Sequence, residues 1–181
     1  ITYNDKQRLA IKRALENNIL IITGGPGTGK TTIIKAITEI YKRLHNLNFE
    51  QMTNNIALLA PTGRASKRMS ESTGYPASTI HRFLKWDKDN DSFMVDENNP
   101  SKVKLVIVDE VSMIDLALFD NLLKGLTRNV KLILVGDHHQ LPSVGPGTVL
   151  KDLIESDVLE TIHLDLLYRQ SENSYILKLA E

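Results

Sequence analysis

The sequence has no cysteine, no surplus of charge and no long apolar run, and each absence excludes a class of protein. Without cysteine among its 181 residues it can form neither a disulfide framework nor a thiolate metal site, which is typical of a cytoplasmic protein. The 22 basic and 22 acidic residues cancel, so any basic surface for nucleic acid must be local. No apolar stretch is long enough to span a membrane, and we expect no membrane partner.

The composition is that of a globular domain. A hydrophobic content of 41% and a charged content of 24% are ordinary values, and the length allows one good-sized core. The chain starts at Ile1, does not begin like a signal peptide, and ends in a predicted helix at residues 174–181. We therefore expect residues 1–181 to be a single domain taken from a longer protein.

A glycine-rich stretch at residues 24–32, GGPGTGKTT, fits the phosphate-binding-loop pattern G-x-x-x-x-G-K-[ST]. An apolar run at residues 19–22 predicts a buried strand before it, and apolar residues at helical spacing follow it. Glycines let the backbone turn its N–H groups inward, and the start of the helix adds positive potential. The predicted phosphate ligands are Gly25, Pro26, Gly27, Thr28, Gly29, Lys30, Thr31 and Thr32. Lys30 would reach the β- and γ-phosphates of a nucleotide, and the Thr31 hydroxyl would bind Mg²⁺.

An acidic pair, Asp109 and Glu110, follows a second apolar run at residues 103–108. At the end of a buried strand, Asp109 is placed to hold Mg²⁺ together with Thr31, and Glu110 is a candidate base for the attacking water. The sequence has no guanine-reading Asn-Lys-x-Asp, which excludes a typical GTPase, and a small-molecule kinase needs no such glutamate. The pair therefore favours ATP hydrolysis coupled to motion.

Strand and helix patterns alternate along the chain. Strands are predicted at 19–22, 56–60, 103–108, 130–135 and 159–167, and helices at 5–17, 65–72, 115–126 and 148–156, with a loop at 45–54. Such alternation predicts an α/β fold with a mainly parallel sheet between two helical layers. A turn signal at residues 89–92, flanked by Trp86 and Phe93, predicts a small inserted β-hairpin at 86–96.

The stretch from residue 61 to residue 85 carries five basic residues and one acidic residue. It starts where a predicted strand ends, which is where open α/β sheets bind ligands. The alternative interpretation is a solvated charged face without a ligand.

Taken in order, these motifs resemble those of superfamily 1 DNA helicases. The sequences APTGRA (60–65), STIHR (78–82), VDEVSM (108–113), GDHHQLPSVGPG (136–147) and YRQ (168–170) follow the phosphate loop, and the QLPSVGPG run is similar to the RecD-like branch, related to exonuclease V alpha subunits. The resemblance covers nearly the whole chain. It implies the first RecA-like motor domain, 1A, of a P-loop NTPase, with the hairpin as a small 1B-type insertion that helps to split duplex DNA.

The resemblance also implies roles for single residues. Gln7 would bind adenine, Gln140 would sense the γ-phosphate, and Arg169 would stabilise charge in the transition state. Contacts with single-stranded DNA would come from Thr62, Gly63, Arg64, Thr79 and His81. The implied cofactors are ATP and Mg²⁺, and the implied partners are single-stranded DNA, duplex junctions and the subunits of a nuclease complex.

The sequence departs from the family pattern in one respect. The motifs of the second RecA-like domain are absent from residues 1–181, so the ATP cleft lacks its second wall here. We expect weak ATPase activity or none from this stretch alone, and translocation, 5′ to 3′ by resemblance, only with the second domain. Two alternatives are the helicase half of a conjugative relaxase and a non-catalytic DNA-binding scaffold.

Overall fold

The computed structural model describes residues 2–25, 28–137 and 149–164, which form a parallel sheet with helices on both faces. The strands in this part of the chain are β1 (Ile19–Thr23), β2 (Ile56–Ala60), β3 (Ser78–Thr79), β4 (Trp86–Asp87), β5 (Ser92–Phe93), β6 (Leu105–Val108), β7 (Lys131–Gly136) and β8 (Thr161–His163). The α-helices are α1 (Asp5–Glu16), α2 (Lys30–Leu44), α3 (Phe49–Asn55), α4 (Gly63–Thr73), α5 (Ile80–Phe83), α6 (Leu116–Lys124) and α7 (Val149–Glu155). A 3₁₀ turn, η1, covers Val111–Met113.

Six strands form the main sheet in the order β3-β2-β6-β7-β1-β8, and every neighbouring pair is parallel. All of these strands therefore end at the same edge. Their side chains alternate between two cores, so that Leu20 and Ile22 face one helical layer while Ile21 faces the other. Helices α1 to α4 cover the first face, and α5 to α7 cover the second. The predicted three-layer α/β/α fold is confirmed.

The central strands carry apolar side chains on both faces of the sheet, because helices cover both faces. All four residues of β6 and all five of β2 are buried, as expected for a parallel sheet between helices. Each fully buried aliphatic side chain contributes about 1.5–3 kcal/mol to folding relative to an exposed one. This rigid centre carries Asp109 and Glu110 at the end of β6.

One predicted loop is a helix. Residues 45–54 were expected to form a loop because they are polar and rich in asparagine, but Phe49–Asn55 is helical. The helix begins with a capping box, in which the Gln51 N–H donates to Asn48 Oδ1 at 2.8 Å and the Asn48 N–H donates to Gln51 Oε1 at 3.0 Å. Met52 anchors it in the core. Capping and one buried side chain thus outweigh the composition.

The inserted hairpin is present as predicted. Strands β4 and β5 pair in antiparallel fashion, with Trp86 opposite Phe93. The Asp87 carboxylate accepts hydrogen bonds from the Asn90 side chain at 2.7 Å and from the Asp89 N–H at 2.9 Å, which lower its pKa. These bonds hold the turn closed. The assignment of the hairpin to a 1B-type insertion stays a prediction.

Helix α1 shows how the periodicity of one face can mislead. It begins after the capping residue Asn4, and its apolar residue Leu9 is 40% exposed although Leu9 falls near the apolar side of the helix. Its buried side chains are those of Gln7, Ala10, Ile11 and Ala14. Among the described residues, no helix has the length and apolar character needed to cross a bilayer.

Candidate functional site

The glycine-rich loop joins the end of β1 to the start of α2. Gly29 precedes α2 in the left-handed region, with φ of 83°, a conformation that favours glycine. A Cβ on Gly24 would lie 2.6 Å from Thr28 Oγ1 and 3.0 Å from the Cβ of Leu164. The Thr28 hydroxyl donates to the carbonyl of Gly25 at 2.7 Å, which closes the loop on itself. Pro26 and Gly27 lie outside the described residues.

Lys30 and Thr31, the first two residues of α2, line a cavity of about 210 Å³ at the edge where the strands end. The Lys30 ammonium donates a hydrogen bond to the carbonyl of Gly24, so the side chain folds back over the loop. An ammonium at the start of a helix, where the first backbone N–H groups have no partner within the helix, is a donor set that suits phosphate oxygens. Thr32, the last predicted phosphate ligand, is half-buried beside them.

Asp109 and Glu110 lie at the end of β6, in the same cavity. The Asp109 N–H donates to the carbonyl of Leu59 at 2.8 Å, and the Glu110 N–H donates to Asp109 Oδ1 at 2.8 Å. Burial raises the pKa of Asp109, the charge of Glu110 raises it further, and the Glu110 N–H and Lys30 oppose the rise. Because a negative charge on a buried carboxylate is costly, a cation bound beside it would stabilise the charged form strongly.

Glu110 adopts a backbone conformation that is uncommon for a residue with a side chain. Its φ and ψ are 53° and 42°, in the left-handed region. Its carboxylate Oε1 accepts a hydrogen bond from the guanidinium of Arg68 at 3.1 Å, across from α4. In the sequence Arg68 is only one of five basic residues at 61–85, and its place in the 210 Å³ cavity was not predicted. No local signal reveals it, since the two residues are 42 positions apart.

Residues of α4 and of the end of β7 complete the cavity. Asp137, directly after β7, is buried and lines it together with Gly136. Its other lining residues are Ala65, Met69 and Ser72 of α4. Among the described residues no group of three or more His, Cys, Asp or Glu side chains is placed to hold a metal. Magnesium needs no such cluster, because it is commonly held by one or two carboxylates and the phosphates of its nucleotide.

A larger cavity, of about 410 Å³, lies elsewhere. It borders β2 and β3 and is lined mainly by residues of α3, β2 and the segment before β3. Its lining includes none of the predicted nucleotide ligands. The smaller cavity is therefore the candidate site because of the chemistry of its lining residues and not because of its size.

Gln7 lies on α1, apart from the glycine-rich loop. It is 5% exposed and forms a capping box at the start of α1, accepting the Asn4 N–H at 3.1 Å and donating its own N–H to Asn4 Oδ1 at 2.7 Å. It does not line the 210 Å³ cavity. Its contact with adenine stays a prediction.

The predicted DNA residues lie at the ends of β2 and β3. Thr62 caps α4, since its hydroxyl accepts the Ala65 N–H at 3.1 Å, and Gly63 and Arg64 open that helix on the surface. Thr79 pairs with Ala60 in the sheet, and its hydroxyl caps α5 by accepting the Arg82 N–H at 3.1 Å. The two motifs, far apart in sequence, therefore meet at one edge.

His81 connects this surface to the hairpin. Its ring lies 5.6 Å from the Phe93 ring and 6.3 Å from the Trp86 ring, measured between centroids. Trp86 and Phe93 pack against each other at 4.8 Å. Gln140 and Arg169, the predicted γ-phosphate residues, lie outside the described residues.

The chain resembles helicase motor domains in sequence. A family model described as an AAA domain matches residues 7–146. The ATP-dependent RecD2 DNA helicase of Deinococcus radiodurans is 35% identical over 177 residues, which are 98% of this chain and 23% of that protein. The RecBCD enzyme subunit RecD of Haemophilus influenzae is 33% identical over 94% of this chain and 29% of its own length. The chain thus spans about a quarter of the length of these curated relatives.

Solved structures share the fold. The Pif1 helicase from Candida albicans superposes with a TM-score of 0.67 over 97% of this chain and 43% of that one, at 21% identity. A Bacteroides Pif1 in complex with ADP-AlF4 gives a TM-score of 0.62 over 93% of this chain and 43% of that one, at 18% identity. The fold is the RecA-like P-loop fold. The chain belongs to the AAA domain family, and it is similar in sequence to the RecD and RecD2 helicases.

Proposed function

We propose that this domain binds and hydrolyses Mg-ATP to drive movement along single-stranded DNA, as the first motor domain of an ATP-dependent DNA helicase. The observation that supports it best is that Lys30, Thr31, Asp109 and Glu110 line one cavity at the carboxyl edge of the sheet. These residues come from two separate parts of the sequence, and each has the chemistry that phosphate transfer to water requires. A non-catalytic scaffold would not need all four.

Each residue has a distinct role in the proposed reaction. The backbone N–H groups of the loop and the Lys30 ammonium bind the phosphate oxygens, while Thr31 and Asp109 hold the magnesium ion. Bound magnesium would neutralise charge on the phosphates. Glu110 orients a water molecule and takes up its proton. Gln140 and Arg169 complete the site by sensing the γ-phosphate and stabilising its developing charge.

DNA binds, in this proposal, at the surface formed by Thr62, Gly63, Arg64, Thr79 and His81. Arginine neutralises phosphates, and hydroxyl and imidazole groups contact sugar and base. A crystal structure of Bacteroides Pif1, which shares the fold, contains bound ssDNA, and this supports single-stranded DNA as the ligand. The hairpin at 86–96 would help to separate a duplex, and the direction of movement would be 5′ to 3′.

The complete motor would include a second RecA-like domain that closes over the ATP. The relatives are several times longer than this chain, which is consistent with further domains in the full-length protein. Some are named as subunits of the RecBCD enzyme, so partner subunits of a nuclease complex are also proposed. The proposed location is the cytoplasm.

Two variants of the full-length protein test the function. Lys30→Ala is expected to lose Mg-ATP binding, measured by titration calorimetry, whereas Lys102→Ala, an exposed lysine before β6, serves as the matched control. Glu110→Gln is expected to keep ATP binding and lose turnover by about 100-fold or more, because it lacks the base. Equal ATP affinity with and without Lys30, or an unchanged kcat in Glu110→Gln, would contradict the assignment.

A further inference from the structure

An ion pair between Arg68 of α4 and Glu110 spans the cavity that holds the candidate nucleotide ligands. Arg68 donates to Glu110 Oε1 at 3.1 Å, and both side chains line the cavity with Lys30, Thr31 and Asp109. The neighbouring basic residues of α4, Arg64 and Lys67, are exposed and do not line it. Unlike these two neighbours, Arg68 lines the cavity and contacts Glu110, the candidate catalytic base.

This contact has a chemical consequence for Glu110. A general base must keep a carboxylate oxygen within hydrogen-bond reach of the water it activates. A guanidinium bound to that oxygen occupies a lone pair that the water molecule would otherwise use. In the observed arrangement Arg68 therefore restrains Glu110 by holding one oxygen of its carboxylate.

The contact is also weak enough to be broken. The Arg68 side chain is 65% exposed and that of Glu110 is 27% exposed, so water screens the pair. Exposed ion pairs contribute little free energy, and a modest binding event elsewhere on the same element can shift such an equilibrium. The left-handed backbone conformation of Glu110, with φ of 53°, is strained for a residue with a side chain, and a conformational change could relieve this strain.

Helix α4 joins this contact to the proposed DNA surface. It begins at Gly63, is capped by Thr62, and carries Arg64 one turn before Arg68. One turn is about 5.4 Å along the axis. Because an α-helix moves as a rigid element, a DNA phosphate that shifts the start of α4 also shifts Arg68 relative to Glu110.

We propose that Arg68 is a positioning residue that restrains Glu110 in the DNA-free protein, and that DNA binding at the start of α4 releases the restraint. This inference rests on the proposed ATPase function. It predicts that Arg68 acts on the rate of hydrolysis through Glu110, and does not bind phosphate. Loss of Arg68 should therefore change kcat and leave the KM for ATP unchanged.

The test compares ATP turnover of the full-length protein with and without saturating oligo-deoxythymidine. Arg68→Ala is expected to raise kcat without DNA by about two- to fivefold, the shift that loss of an exposed ion pair produces. The kcat with DNA should stay near wild type, so the stimulation ratio falls by the same factor, and the KM for ATP is unchanged. Arg68→Lys, which retains a cation, should restore most of the ratio.

Controls separate this inference from the proposed function. Arg128→Ala removes an exposed arginine just before β7, at the opposite edge of the sheet, and should leave both rates unchanged. In a Glu110→Gln background, Arg68→Ala should have no further effect. A lower DNA-free kcat, a higher KM for ATP or an unchanged ratio in Arg68→Ala overturns the inference alone. Absence of turnover in wild type with DNA overturns the proposed function, and the inference with it.

Discussion

Replacing Gly24 with alanine tests how closely the phosphate loop is packed. The added Cβ would lie 2.6 Å from Thr28 Oγ1 and 3.0 Å from the Leu164 Cβ, both too close for carbon. Thr28 cannot move away without losing its hydrogen bond to the Gly25 carbonyl. Overpacking of this kind costs about 1–3 kcal/mol. In a domain of this size we expect the melting temperature to fall by about 2–12 °C.

The matched control is another glycine of the same chain. Gly63 opens α4, and a Cβ there would meet nothing within 4 Å. Gly63→Ala is expected to stabilise the domain slightly, by about 0.4–1 kcal/mol, because alanine restricts the unfolded chain. Thermal unfolding by circular dichroism, with and without Mg-ATP, measures both variants. If Gly24→Ala unfolds at the wild-type temperature and binds Mg-ATP equally well, the packing argument is refuted.

Three further predictions concern pH, DNA and folding. The pKa of Asp109 is raised in the folded protein, so without metal the folded state binds its proton more tightly. Unfolding free energy should therefore fall as pH rises from the ordinary aspartate pKa through the raised value, and Asp109→Asn should abolish that slope in urea titrations. Single-stranded DNA should bind with a log K against log salt slope of about −1.5 to −2, since two or three phosphates are neutralised. Arg64→Ala with His81→Ala should weaken binding and flatten that slope. Asn48→Ala should cost about 1 kcal/mol by removing the α3 cap, measured by urea unfolding.

Each of these has an outcome that contradicts it. A pH slope that persists in Asp109→Asn would assign the effect to another group. Equal DNA affinity and slope in the double variant would leave the surface at residues 61–85 as a solvated charged face. Unchanged stability in Asn48→Ala would mean that burial of Met52 alone holds α3 in place.

The sequence was most informative where one stretch determines its own geometry. The glycine-rich loop, the apolar strands and the acidic pair each carry their signal within a few residues. The order of elements could therefore be predicted, and so could four residues that line one cavity, Lys30, Thr31, Asp109 and Glu110. The turn signal of the hairpin is equally local, because Asp87 closes it through Asp89 and Asn90. Helix α3 was missed for a different reason. Its signal was the spacing of Asn48 and Gln51, which asparagine-rich composition obscured.

Features that depend on two distant segments could not be predicted. Strand β3 has two residues, Ser78 and Thr79, and exists only because β2 pairs with it. The contact of Arg68 with Glu110 depends on how α4 packs over the end of β6, which neither sequence segment encodes alone. Leu9 is exposed because α1 turns a face of Ala10 and Ala14 to the core. Small side chains there allow close helix packing that hydrophobicity alone does not predict.

The end of β2 is the physical link between the two proposed ligands. The carbonyl of Leu59 accepts the N–H of Asp109, which places the magnesium-side carboxylate one hydrogen bond from β2. The next residue, Ala60, pairs with Thr79 of the DNA surface. A strand is stiff along its length, so a displacement at either ligand is transmitted to the other through one or two residues. The proposed coupling of ATP hydrolysis to DNA binding would therefore need no long pathway in this fold, and the proposed Arg68 restraint would act in parallel with it.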